Sequence, residues 1–183
     1  QNVIALLVPR GDYDSEKALL ERLEACDQVD YAMGLSNIEV MDGHTLTDAL
    51  TPRQFSELTD LDYEVAELLY AAYAADGGNY GKIIGGLPNY SVPLIDMFTF
   101  LYGEMQDGYV TLDADMTETL ESAYSQITNA RKQLQSDDYT RMLVYLNLPV
   151  GGDETYDFLD QMRVVAHKYY PDGEVYVVGD SSS

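Results

Sequence analysis

Six consecutive apolar residues, Val3-Ile4-Ala5-Leu6-Leu7-Val8, run to Pro9 and Gly11 and have the length of a strand buried on both faces. Asp12, Asp14 and Ser15 then offer helix-capping oxygens, with Glu16 acidic in the first turn. Leu19, Leu20, Leu23 and Cys26 recur at helical spacing, a single apolar stripe on a charged helix expected over 14–26. Val29–Leu35 reads as a second, weaker strand. The chain's last part repeats this order. Met142–Leu148 is an apolar strand closed by Pro149, Gly151 and Gly152, and Asp153 is the expected N-cap of the next helix. Leu159, Met162, Ala166 and Tyr169 fall on one face of that helix, expected over 154–169. Pro171 and Gly173 end it before the strand Val175-Tyr176-Val177-Val178.

Strand, helix, strand therefore occurs twice, without shared residue identity, and reads as a duplicated βαβ unit. Two such units in one sheet predict an α+β fold of the ferredoxin-like, split-βαβ kind, with the first and third strands central and the second and fourth at the edges. Central strands apolar on both sides must be covered on both faces. The two helices cover one. The middle of the chain or a partner is expected on the other.

The intervening residues carry helical periodicity, and the expectation is a large all-helical insertion. Thr51-Pro52-Arg53-Gln54 is a capping box with proline at the first helical position. Val65, Leu68, Leu69, Ala72 and Tyr73 mark a second helix of the insertion, ending at Gly77-Gly78. Ser91 precedes a third, with Leu94, Phe98, Leu101 and Met105. Met116, Leu120, Tyr124, Ile127 and Leu134 mark a long fourth. The expected organisation is a first βαβ unit over 1–37, the insertion over 38–138, and a second βαβ unit over 139–183.

Composition narrows the function. Ten Lys+Arg against 32 Asp+Glu give a formal charge of −22 in 183 residues. That disfavours unassisted nucleic-acid binding, which needs cations to neutralise phosphates, and adsorption to anionic membranes. With 46% hydrophobic residues and 16 Tyr the chain has core material and is not a disordered tail. Cys26 alone excludes an intramolecular disulfide and a four-thiolate metal site, and a buried inert thiol is expected. No apolar run approaches the ~20 residues of a membrane span, and no signal peptide is expected within these residues.

Candidate chemistry is sparse. Gly77-Gly78-Asn79-Tyr80-Gly81-Lys82 resembles a phosphate loop, but Gly77 stands too close to Gly81 and Lys82 is followed by Ile83, so a helix end and turn are expected. Gly85-Gly86 makes no dinucleotide fingerprint. His44 and His167 belong to no paired ligand motif, and His167 suits the C-terminal end of a helix dipole. No Gly-x-Ser-x-Gly elbow occurs. Asp12-x-Asp14, Asp60-x-Asp62 and Asp113-x-Asp115 have the opening spacing of calcium loops but lack the remaining ligands, and helix capping explains Asp14, Asp62 and Asp113. No catalytic residue, metal ligand or cofactor is assigned.

Taken together, Val3–Val8 with its Pro9-x-Gly11 turn, the helix Ser15–Cys26, Val29-Asp30-Tyr31-Ala32-Met33-Gly34-Leu35, and the closing Met142–Leu148, Asp153–Tyr170 and Val175-Tyr176-Val177-Val178-Gly179-Asp180-Ser181 resemble the first extracytoplasmic loop of an RND-superfamily transporter of the MMPL type. The likeness covers about the outer 80 residues well and the insertion more loosely. It implies a fragment between the first two transmembrane helices of a proton-driven exporter. Such a fragment passes substrate by conformational movement, with the remaining porter and transmembrane domains as partners and a lipid or hydrophobic small molecule as possible substrate. The proton-relay carboxylates of the family lie in membrane helices, so no functional residue carries over. Neighbouring termini, a solvent-facing acidic surface and an apolar sheet face left by missing porter segments would all fit. Two other readings compete: a secreted or surface-attached binding module with a helical groove lined by Tyr70, Tyr73, Phe98 and Tyr102, and a small enzyme with carboxylate chemistry.

Overall fold

The computed structural model describes residues 2–78, 83 and 85–179. It is a mixed α+β chain that forms two compact units, one containing the described residues up to Ile38 and from Asn129, the other Glu39–Thr128.

In the first unit, strand β1 (Asn2–Pro9) is followed by helix α1 (Tyr13–Glu24) and strand β2 (Val29–Met33). The later strand β7 (Tyr139–Leu146), helix α6 (Asp153–Tyr169) and strand β8 (Tyr176–Gly179) complete it. The four strands form one antiparallel sheet in the order β2-β7-β1-β8. The first and third of the four strands are thus central, and the two ends of the described chain pair directly, Ile4 opposite Gly179 and Leu7 opposite Tyr176.

One face of this sheet carries the core. Ile4, Leu6 and Val8 of β1 and Met142, Val144 and Leu146 of β7 meet Leu19, Leu20 and Leu23 of α1 and Phe158, Met162 and Ala166 of α6. At roughly 2 kcal/mol for each buried aliphatic side chain, this layer is the main source of stability for the unit. Close approach is needed at its corner: a Cβ on Gly173 would lie 2.5 Å from Pro9 Cγ, so only glycine lets the turn into β8 pass beside β1.

The starts of α1 and α6 differ from expectation. Asp12, not Asp14, caps α1, its Oδ1 accepting from Ser15 N at 2.9 Å and its Oδ2 from Ser15 Oγ at 2.7 Å. Asp153 lies inside α6, whose cap position is Gly152 with φ 102°.

The second unit contains helices α2 (Pro52–Thr59), α3 (Tyr63–Asp76) and α4 (Leu94–Gln106), and most of α5 (Ala114–Leu134). The expected capping box is present, with Thr51 N donating to Gln54 Oε1 at 2.9 Å and Gln54 N to Thr51 Oγ1 at 3.3 Å. The insertion is not all-helical, however. Strands β3 (Glu39–Met41) and β4 (His44–Thr45) make a hairpin, and β5 (Ala49–Leu50) pairs with β6 (Val92–Pro93). The hairpin follows from Asp42-Gly43, both at positive φ (48° and 78°), a dipeptide that favours a primed turn. The β5–β6 pair has no local signal. It is set by long-range bonds, Leu94 N to Asp48 O at 2.9 Å and Ile95 N to Leu46 O at 2.7 Å. The core of this unit is aromatic: Phe55 lies 5.9 Å from Tyr70 and 5.5 Å from Phe98, centroid to centroid, and the buried Tyr70 hydroxyl donates to Leu50 O at 2.7 Å.

Candidate functional site: the outer face of the sheet

Side chains alternate across a strand, so the residues of the first unit not directed at α1 and α6 share the opposite face. The register arranges them in rows. Tyr31, Tyr145 and Val3 form one. Met33, Leu143, Ala5 and Val178 form the next, followed by Arg141, Leu7 and Tyr176, then Tyr139 and Pro9. Arg141 is the one charged residue among them. Tyr31 and Tyr145 stack at 4.1 Å, and Tyr139 meets Tyr176 edge-on at 5.6 Å. Each aromatic pair contributes about 1 kcal/mol beyond its buried area. Tyr31, Tyr176 and Val178 remain 44%, 42% and 49% exposed. An apolar, aromatic sheet face of this kind suits docking against another surface.

Hydrogen bonding organises its rim. The Tyr176 hydroxyl donates to Glu174, and that bond, with a further one to Tyr139, pushes the Tyr176 phenol up. Desolvation, then hydrogen bonding with Tyr145, pushes the Tyr31 phenol up. Both rings stay neutral in any physiological medium.

A second feature is internal. Glu16 is completely buried, with Thr140 Oγ1 donating to its Oε2 at 3.3 Å and its Oε1 without a hydrogen-bond partner. Burial, opposed by the Thr140 bond and reinforced by Asp12, pushes its carboxyl up to about 7. The Tyr170 hydroxyl is also buried without a partner, and desolvation followed by the nearby Glu16 raises its phenol. Sequence reasoning treated Glu16 as a first-turn acid. Its spacing of three, four and seven to Leu19, Leu20 and Leu23 is the signal that places it on the buried stripe.

The residues singled out by sequence scatter. Cys26 is half-buried, its sulfur 3.2 Å from Arg22 Nη1. His44 Nδ1 lies 3.4 Å from Asp48 Oδ2, while His167 is exposed in the last turn of α6. Gly77 ends α3, and the rest of the phosphate-loop-like stretch from Asn79 to Lys82 lies outside the described residues, as do Asp180 and Ser181. Asp60, Asp62, Asp113 and Asp115 line one hollow of about 560 Å³ in the second unit. Asp113 Oδ1 accepts from Met116 N at 2.7 Å, whereas Asp62 makes no side-chain cap bond. Among the described residues no group of three or more His, Cys, Asp or Glu is placed to hold a metal. The groove residues separate too: Tyr70 and Phe98 are core, Tyr73 packs edge-on against Phe100, and Tyr102 stacks on Tyr124 at 3.8 Å. They do not line a groove together because Tyr70 and Phe98 are already consumed by packing with Phe55.

Comparison with known proteins adds no identity: no family model, curated protein or solved structure matches the chain.

Proposed function

We propose that the chain is an extracytoplasmic porter-domain piece of a proton-driven exporter of the RND/MMPL type, moving as a body and performing no chemistry of its own. The finer architecture belongs to the same reading: strand order β2-β7-β1-β8 with helices on one face is the order of a ferredoxin-like split βαβ sheet, interrupted by the 39–128 unit between its second and third strands. The observation that carries the proposal is the outer sheet face, four rows of apolar and aromatic side chains around Arg141, of the kind a porter subdomain turns toward its neighbours. Pairing of β1 with β8 also brings the two ends of the described chain together, as insertion between two membrane helices requires. In this reading the partners are the remaining porter and transmembrane segments, the location is the outer side of the membrane, and the substrate is a lipid or hydrophobic small molecule. No described helix is long and apolar enough to cross a membrane, so any spans belong to flanking sequence.

The test is the parent reading frame. Apolar spans of about 20 residues directly before and after this segment, and export of a hydrophobic dye that is lost on Leu143→Arg, are expected. A secreted leader with no spans would sink the exporter reading. It would favour the second one, a binding module. That reading has its own observation, an apolar hollow of about 380 Å³ between α3 and α4 where Leu68 and Tyr109 are 72% and 77% exposed.

A further inference from the structure

Strand β8 is an edge: β1 occupies one side of it, and its other side pairs with no described strand. An antiparallel strand directs alternate N–H and C=O groups to each side, so half of those in β8 face outward unpaired. At the start of that strand lies a hollow of about 680 Å³, walled by Arg163, Val164, His167 and Lys168 of α6 and by the residues from Gly173 to Tyr176, the first residue of β8. Val164 is 59% exposed and supplies an apolar part of the same wall. Basic side chains, scarce in this protein, gather at this place. Two of ten Lys+Arg and one of two His converge on it, in a chain of net charge −22. Arg163 is held by Asp160 at 2.9 Å, whereas Lys168 and His167 take part in no ion pair among the described residues. Glu174, at the lip, is engaged by the Tyr176 hydroxyl.

We propose that the free edge of β8 accepts an extended acidic strand from a partner protein, extending the sheet by one strand. Its backbone pairs with β8. Its carboxylates on the α6 side reach His167, Lys168 and Arg163, and its apolar residues on the other side continue the row of Tyr176 and Val178. The cationic wall selects the occupant. A basic strand is repelled, and a neutral one leaves Lys168 without a counter-charge. Net repulsion by the rest of the protein does not decide the contact, because charges beyond about 8 Å are screened at physiological salt. This inference is independent of the exporter reading and stands or fails on the edge alone.

The experiment measures binding of short capped peptides to the full 183-residue chain by fluorescence polarisation. The probe alternates valine and glutamate, and its counterpart carries lysine for glutamate. Saturable binding of the acidic probe alone is expected, weakened about tenfold or more by Arg163→Glu with Lys168→Glu, both exposed positions whose replacement leaves the core intact. Backbone N-methylation of alternate probe residues separates strand pairing from simple charge capture: one methylation pattern should abolish binding and the other should not. Equal binding of both probes, no binding, or indifference to either methylation pattern overturns the proposal. So does dimerisation of the chain that competes with the probe, since a second copy would then be the occupant.

Discussion

Glu16→Gln tests the buried acid most directly. In the folded chain its carboxyl holds its proton to about pH 7, against an ordinary value of 4.5, chiefly because burial removes it from water while Thr140 supplies a single hydrogen bond. The sign follows from linkage. Below pH 4.5 both folded and unfolded chains are protonated, and the group contributes nothing. Between 4.5 and 7 the unfolded chain releases its proton and the fold does not, so stability falls as pH rises, and above 7 the loss is constant. The interval corresponds to about 3 kcal/mol. Glutamine keeps the shape and cannot ionise, so the variant escapes this loss. Urea unfolding of parent and variant, followed by circular dichroism from pH 4 to pH 8.5, should show near-equal stability at the acid end. The variant should then gain about 3 kcal/mol on the parent by pH 8. Repulsion among the other carboxylates acts on both chains and cancels in the difference. A difference that stays flat with pH, or that favours the parent at pH 8, would refute the assignment of Glu16 as a desolvated acid.

Gly173→Ala should destabilise the first unit by about 2 kcal/mol, since its Cβ would press on Pro9 Cγ, and adding Pro9→Ala, which removes that atom, should recover most of the loss in a double-mutant cycle. Thr51→Ala removes the capping oxygen of α2 and should cost about 1 kcal/mol, read as early exchange of the amides of Phe55 and its neighbours. Calorimetric titration with calcium should show no micromolar site, because Asp113 is committed to capping α5 and the four aspartates around the hollow are not placed to share an ion. A one-site micromolar isotherm would contradict that.

Much of the first unit was legible because its signals are local and periodic. Val3–Val8 and Met142–Leu148 announce strands by continuous apolar character, and Leu19, Leu20 and Leu23 announce a helix by spacing. Thr51-Pro52-Arg53-Gln54 marks the start of α2 because a capping box is a contact between neighbours. Asp42-Gly43 was equally local and was missed beside the helical periodicity that surrounds it.

Other features arise only when distant segments meet. Leu50 and Val92 become strand partners through bonds between residues more than forty positions apart, which no window along the chain contains. Tyr31, Tyr145 and Val3 become one row only after register is fixed across three strands, so the aromatic face was invisible in a segment that reads simply as apolar. Glu16 becomes a weaker acid through its burial in the folded unit, and Arg163, His167 and Lys168 acquire meaning from the start of an edge strand that lies near them in space. By itself the amino-acid order determined which segments become helices and central strands, because backbone preference and side-chain period act over a few residues. The tertiary structure alone decided which face stays open, which acid is desolvated and where the scarce positive charge gathers, because solvation and Coulomb interaction depend on distance through space and not along the chain.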